Sequence, residues 1–247
     1  MSNHRLGLVG KSLTHSFSKK FFTDFFRKEK RIGSYENLEF DNIEDLEVFF
    51  EAGIWDYDGL NVTLPYKEKI IPLLDEIDDE AKKIGAVNTI KVDGSKTIGF
   101  NTDAFGFHQS IKPFLNNKHE RALVLGTGGA SKAIEYTLKK IGIDVLFISR
   151  EKSNKEHVFT YDDMNKYMID ACKLIVNCTP IGMVPADKEA IHFPYAHLTK
   201  DHFVIDLIYN PPKTKFLELS EQQGAMIING SSMLREQAIQ SWKIWTK

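Results

Sequence analysis

Residues 121–133, RALVLGTGGASKA, constrain the fold more tightly than any other stretch of this chain. The apolar run Ala122, Leu123, Val124 and Leu125 is too short for a helix and stops at Gly126, so it reads as a buried strand. Ala130, Ala133, Ile134, Thr137, Leu138 and Ile141 then recur at helical spacing on one face. Between the two, Gly126, Gly128 and Gly129 carry no side chains, which opens backbone N–H groups at the positive helix end to a pyrophosphate. Strand, glycine turn and helix make half of a dinucleotide-binding unit. Ser131 stands where the third glycine of G-x-G-x-x-G is usual, and an ordinary tight strand-to-helix turn would share much of the pattern.

The glycine turn falls at mid-chain in 247 residues, which points to a separate domain ahead of it. A net charge of −2 gives no whole-protein field for nucleic acid. From Met1 onward there is no basic leader or cleavage site, and no apolar run approaches a membrane span, so no membrane association is expected. Two cysteines, Cys172 and Cys178, make no disulfide framework and read as buried, inert thiols. A cytoplasmic protein is expected. The 8 histidines show no metal-ligand spacing, and no metal site is expected.

Ahead of the turn, residues 5–10 read as a strand, 11–15 as a turn, and the next helix carries Phe21, Phe22, Phe25 and Phe26. Ser16 and Ser18 lie at its start, where the pattern favours helix capping over the alternative of an anion held by two hydroxyls. A strand at 34–40 and a helix from Asp41 or Asn42 to Gly53 follow. Then comes GLNVTLPYK at 59–67, extended up to Leu64 because Pro65 disfavours a helical Leu64 while suiting a first helical turn itself. Lys67 falls in that first turn, at the dipole end that disfavours its charge. Most lysines are solvated surface charges, but one so placed has a mobile proton unless a carboxylate compensates.

Residues 75–83, DEIDDEAKK, read as a solvated charged face. The run 84–90, IGAVNTI, reads as a buried strand in which Asn88 and Thr89 must find hydrogen bonds, from the protein or from a ligand. Asp93-Gly94 marks a hairpin leading back to Asn101-Thr102-Asp103. Asp103 suits either the N-cap of the helix bearing Phe105, Phe107 and Ile111 or the carboxylate that Lys67 needs.

After the glycine turn, a strand at 145–148 ends in Ser149-Arg150-Glu151-Lys152. In an NAD site an acidic residue about 20 residues past the turn binds the ribose 2′-hydroxyl. Here Arg150 takes that place, and a guanidinium matches a 2′-phosphate, so NADP is implied, with Glu151 as a complication. A buried strand leading into a polar, Pro- and Gly-bearing loop over 174–182, a strand at 203–209, a helix at 215–223, a strand at 225–228 and a final helix after Gly230 complete an α/β pattern. The final helix bears Met233, Gln237, Trp242 and Trp245, a stripe that usually packs in a core.

HSFS at 15–18, NVTLPYK at 61–67, GAVNT at 85–89, NTD at 101–103, GTGGASKA at 126–133, NCTPIGM at 177–183, DLIYNPPKT at 206–214 and GSSMLREQ at 230–237 occur in series. Together they resemble the shikimate dehydrogenase family over essentially the whole chain. The resemblance implies reversible reduction of 3-dehydroshikimate to shikimate by NADPH. It implies Lys67 and Asp103 as the catalytic pair, and Ser16, Ser18, Thr63, Lys67, Asn88, Asp103, Tyr209 and Gln237 as substrate-binding residues. It also implies Gly126, Gly128, Gly129, Ala130, Arg150, Thr179, Met183, Gly230 and Met233 as cofactor contacts. The implied architecture is α/β with two domains. Residues 1–102 and 231–247 form a substrate domain with a mixed sheet, and 103–230 a Rossmann-like, doubly wound NADP domain, with a cleft between them and a monomer or homodimer as the assembly.

The sequence departs from the family pattern in a few places. Lys11 and Lys19 replace prolines around the serine motif, Ser149 replaces an asparagine and Glu151 a hydroxyl residue beside Arg150. The last two bear on NADP selectivity. They leave an NAD-using quinate or shikimate dehydrogenase as one alternative, and a catalytically silent nucleotide-binding regulator as another.

Overall fold

The computed structural model describes residues 3–14, 16–184 and 187–247, so Met1 and His15, the first residue of the HSFS segment, lie outside the described residues. The chain divides into two compact units, one of Met1–Thr102 with Gln237–Lys247 and one of Asp103–Glu236.

The first unit runs β1 (Asn3–Gly10), α1 (Phe17–Lys28), β2 (Ile32–Glu39), α2 (Ile43–Ala52), β3 (Gly59–Val62), α3 (Tyr66–Lys69), β4 (Glu76–Ile77), α4 (Asp79–Ile84), β5 (Thr89–Asp93) and β6 (Lys96–Phe100). Its six-stranded sheet has the order β2-β1-β3-β5-β6-β4. The pairs of β1 with β2 and β3, and of β4 with β6, are parallel, while β3–β5 and β5–β6 are antiparallel, so the sheet is mixed. Side chains alternate faces along a strand. Val9, Leu60 and Val62 therefore meet Leu46, Phe50 and Ile70 on one face. Leu6 and Leu8 meet Phe22, Phe26, Trp242 and Trp245 on the other. Gly59 permits the second layer. A Cβ there would lie 2.1 Å from Trp245 Nε1, which instead donates to the Ile90 carbonyl at 2.8 Å.

The second unit runs α5 (Asp103–Ile111), β7 (Arg121–Leu125), α6 (Gly129–Lys140), β8 (Asp144–Ser149), β9 (Val158–Thr160), α7 (Lys166–Ala171), β10 (Leu174–Asn177), β11 (Phe203–Asp206), α8 (Lys215–Gln222) and β12 (Met226–Ile228). The division between the units falls within α9 (Ser231–Trp245). All five pairings in the sheet β12-β11-β10-β7-β8-β9 are parallel. A parallel sheet is covered on both faces. Ala122 and Val124 pack with Phe107, Ile111, Ile134 and Leu138, while Leu123 and Leu125 pack with Ile148, Ile175, Phe216 and Leu217. Strand order reverses between β7 and β10, and ligands of such sheets bind at the carboxyl ends of the strands flanking that point.

Two local expectations change. Residues 84–90 are not one strand: Ile84 ends α4, Gly85 takes the left-handed φ of 72° at its C-cap, and the strand begins only at Thr89. Asp78 caps α4 from its start, and a short apolar run alone does not distinguish a helix end from a strand. Nor is 75–83 merely a solvated face. The Asp75 carboxylate accepts from Thr97 N at 2.8 Å and Thr97 Oγ1 at 2.9 Å, which holds its pKa below the ordinary value.

Among the described residues no helix is long and apolar enough to cross a membrane, and no three His, Cys, Asp or Glu side chains group as metal ligands. Burial pushes the Cys172 thiol up to about 11, and it also raises the Cys178 thiol, so neither favours the reactive thiolate.

Candidate active site

In the first unit a buried web of amides and hydroxyls joins three sheet segments to α9. Asn61 lies on β3 between Leu60 and Val62, and strand alternation turns it to the face that α9 covers. Its Nδ2 donates to Ser241 Oγ at 3.0 Å and Thr89 Oγ1 at 3.1 Å, and its Oδ1 accepts from Tyr35 Oη at 2.8 Å. Ser241 Oγ lies 2.8 Å from Thr89 Oγ1 and 3.1 Å from Thr102 Oγ1. Asn88 continues the web. Its Oδ1 accepts from Thr102 N at 2.7 Å, and its Nδ2 donates to Thr102 Oγ1 at 3.0 Å and reaches Gln237 Oε1 at 3.5 Å.

The structure thus brings Asn88 and Gln237 together, as two of the expected substrate residues. Both are buried, and buried amides in such a web hold their orientation because every alternative leaves a partner unsatisfied. Tyr35, Asn61, Thr102 and Ser241 hold them in place and were given no roles from the sequence. A polar residue inside a four-residue buried strand signals Asn61, and the four-residue helical spacing from Gln237 signals Ser241.

Ser18 is buried, and burial drives the pKa of the Tyr35 phenol upward. Ser16 is the N-cap of α1, and its Oγ accepts from Ser18 N at 3.3 Å. Capping is therefore observed for Ser16, while Ser18 lies inside the helix.

Lys67 is the second residue of α3, and Thr63 precedes that helix, its N–H donating to the Val9 carbonyl at 2.9 Å. The helix is only four residues long, so the dipole invoked from the sequence has a single turn behind it. The backbone of Lys67 is anchored. Its carbonyl accepts from Val87 N at 2.7 Å, one residue before Asn88. Asp103 is the first helical residue of α5 rather than its N-cap, and it is buried. It directly follows Thr102, which Asn88 holds from both N–H and hydroxyl.

In the second unit β7 and β10 end side by side at the point of strand reversal. Gly126 takes a φ of +99°, which glycine adopts without strain, and a Cβ there would lie 3.0 Å from Thr179 Cγ2. Gly128 is the N-cap of the twelve-residue α6 and makes no side-chain cap bond. A Cβ built on it meets nothing within 4 Å, so the space over the helix start is open, and Gly129 and Ala130 present small residues in the first turn. A pyrophosphate fits this cradle. The absent third glycine is explained locally. Ser131 is buried, and its Oγ donates to the Gly128 carbonyl at 2.6 Å, closing the turn with a side chain.

Arg150 follows the last residue of β8 and is exposed. Ser149 Oγ accepts from Glu151 N at 3.4 Å, which shapes the turn, and among the described residues no ion pair joins Glu151 to Arg150. Met183 is 47% exposed beyond Gly182, whose φ is +93°. Gly230 is required by close approach, since a Cβ there would lie 2.0 Å from the Leu207 carbonyl oxygen. Met233 packs partly against the core beneath β7 and β10, and Tyr209 lies in the segment after β11.

The chain resembles known proteins over nearly its whole length. A family profile described as the shikimate dehydrogenase substrate binding domain matches residues 8–90. The shikimate dehydrogenase (NADP(+)) of Aquifex aeolicus is 39% identical over 246 residues, covering 97% of this chain and 90% of that protein. A crystal structure of the Aquifex aeolicus shikimate dehydrogenase superposes with a TM-score of 0.88 at 38% identity, covering 98% of this chain and 92% of that one. A quinate dehydrogenase from Corynebacterium glutamicum in complex with NAD also superposes, with a TM-score of 0.88 at 28% identity over 99% of this chain and 94% of that one.

Proposed function

The chain belongs to the shikimate dehydrogenase family, and on that premise we propose that it reversibly reduces 3-dehydroshikimate to shikimate with NADPH. The observation that carries the reading is the buried web on β3, β5 and α9. It presents amides and hydroxyls from Asn88, Thr102 and Gln237 in fixed orientations, as a polyhydroxylated ring requires.

In this reading the Ser16 and Ser18 hydroxyls hold the substrate carboxylate, and Thr63, Asn88, Gln237 and Tyr209 hold the ring. Gly126, Gly128, Gly129 and Ala130 take the pyrophosphate, Arg150 the 2′-phosphate, and Thr179, Met183, Gly230 and Met233 the remaining cofactor surface. When bound, NADPH supplies a hydride. Lys67 Nζ gives a proton to the carbonyl oxygen as negative charge grows there, and takes it back in the oxidative direction. Asp103 serves as the second member of the catalytic pair. Residues 1–102 and 231–247 serve as the substrate domain and 103–230 as the NADP domain. The enzyme is cytoplasmic and acts as a monomer or homodimer.

A second reading, NAD use with quinate, has Glu151 beside Arg150 in its favour. The test is a four-way assay at the nicotinamide absorbance band, with shikimate or quinate against NADP+ or NAD+. Turnover with shikimate and NADP+ at the highest kcat/KM is expected. Preference for quinate and NAD+ would support the second reading, and cofactor binding without turnover would make the protein a silent regulator.

A further inference from the structure

Asp206 ends β11 at 0% exposure, and none of the roles above uses it. Its Oδ1 accepts from Asn177 Nδ2 at 2.9 Å and Ile208 N at 3.0 Å, and its Oδ2 accepts from Thr214 Oγ1 at 2.5 Å. All three partners are neutral. Burial raises the carboxyl to about 6 against these bonds, and the carboxylate in turn helps to raise Cys178 and Tyr195, the titratable groups among the described residues that feel it. A buried carboxylate with no cation beside it among the described residues is an expensive way to fill a core, which points to something that only an acceptor of several bonds does.

That task is visible in what the three donors belong to. Because Asp206 takes the side-chain Nδ2 of Asn177, Asn177 Oδ1 faces the other way and accepts from Thr179 N at 2.9 Å and Thr179 Oγ1 at 2.7 Å. Thr179 is thereby set against Gly126. Ile208 and Thr214 flank Tyr209, so their two bonds draw the segment 208–214 onto one carboxylate. Thr214 also caps α8, its Oγ1 accepting from Leu217 N at 3.3 Å.

We propose that Asp206 is a positioning residue that sets two loops at once, the cofactor loop through Asn177 and Thr179, and the Tyr209 segment through Ile208 and Thr214. The inference rests on the assignment of the Thr179 loop to NADP and of Tyr209 to substrate.

The two arms are separable by measuring NADP+ affinity by titration calorimetry, shikimate KM at saturating NADP+, and the melting temperature of each variant. Asn177→Ala is expected to weaken NADP+ about tenfold, the scale of a lost hydrogen bond, with shikimate KM changed by less than about twofold. Thr214→Val is expected to do the reverse, raising shikimate KM about tenfold, and Thr214→Ser to restore it. Asp206→Ala affects both constants. Asp206→Asn keeps an acceptor oxygen for Asn177 and Ile208 and holds NADP+ affinity within about threefold of the parent.

Arg150→Ala and Tyr209→Phe serve as references for the two constants. If they move their constants while Asn177→Ala and Thr214→Val shift both alike, or neither, in proteins that melt within a few degrees of the parent, the inference is overturned and the site assignment stands. Flat references would overturn both together. The single-arm variants carry the test should Asp206→Ala fail to fold.

Discussion

Replacing Lys67 with alanine is expected to lower kcat roughly 10²- to 10⁴-fold, the range for a positioned acid–base group, with NADP+ affinity within about twofold of the parent. The separation follows from where Lys67 sits. It lies on α3 of the first unit, whereas the glycine turn and Arg150 lie in the second. The local fold should survive the change, because Lys67 contributes its backbone carbonyl to Val87 N and the side chain is only partly buried. A group used only as charge develops changes kcat and kcat/KM together, unlike one that also binds the ground state. Steady-state kinetics with calorimetric NADP+ titration separates these cases. Full turnover in a folded Lys67→Ala protein would remove Lys67 from the chemistry.

Arg150→Ala is expected to weaken NADP+ by roughly 1.5–3 kcal/mol, or about 10- to 150-fold, while leaving NAD+ affinity nearly unchanged. A guanidinium meets a phosphate with paired, charge-assisted hydrogen bonds, and NAD+ lacks that phosphate. Arg150 is exposed at the end of β8 and is not spent on Glu151, so it is available for the contact. Glu151 sets a limit on the discrimination, since a carboxylate beside a phosphate repels it. The measurement is the pair of dissociation constants in parent and variant. Equal NADP+ and NAD+ affinities in the parent would defeat the assignment of Arg150 before any mutation is made.

The second unit was the more legible part of the sequence. Short apolar runs alternating with helical periodicity dictate a parallel sheet, and the residues without side chains at 126, 128 and 129 mark where its strands reverse order. The first unit was less legible, because its sheet is mixed and its site is built from residues distant in sequence. Asn61 and Ser241 touch across a separation of 180 residues, and no local pattern announces that pair. The 84–90 run shows the same limit on a smaller scale, where apolar periodicity did not reveal that Gly85 ends one element before Thr89 begins the next. Ser131 went the other way. It reads as a defect in the glycine fingerprint, and only the hydroxyl bond to Gly128 shows why the turn accepts it.

The most direct test of the account is a crystal structure of the protein with shikimate and NADP+ bound. It is predicted to show the shikimate carboxylate on the Ser16 and Ser18 hydroxyls and ring hydroxyls on Asn88 and Gln237. Lys67 Nζ is predicted within about 3 Å of the hydroxyl that is oxidised, the reach of a proton-transferring group. Shikimate bound away from the web, or held there with Lys67 out of reach of every ring oxygen, would contradict it.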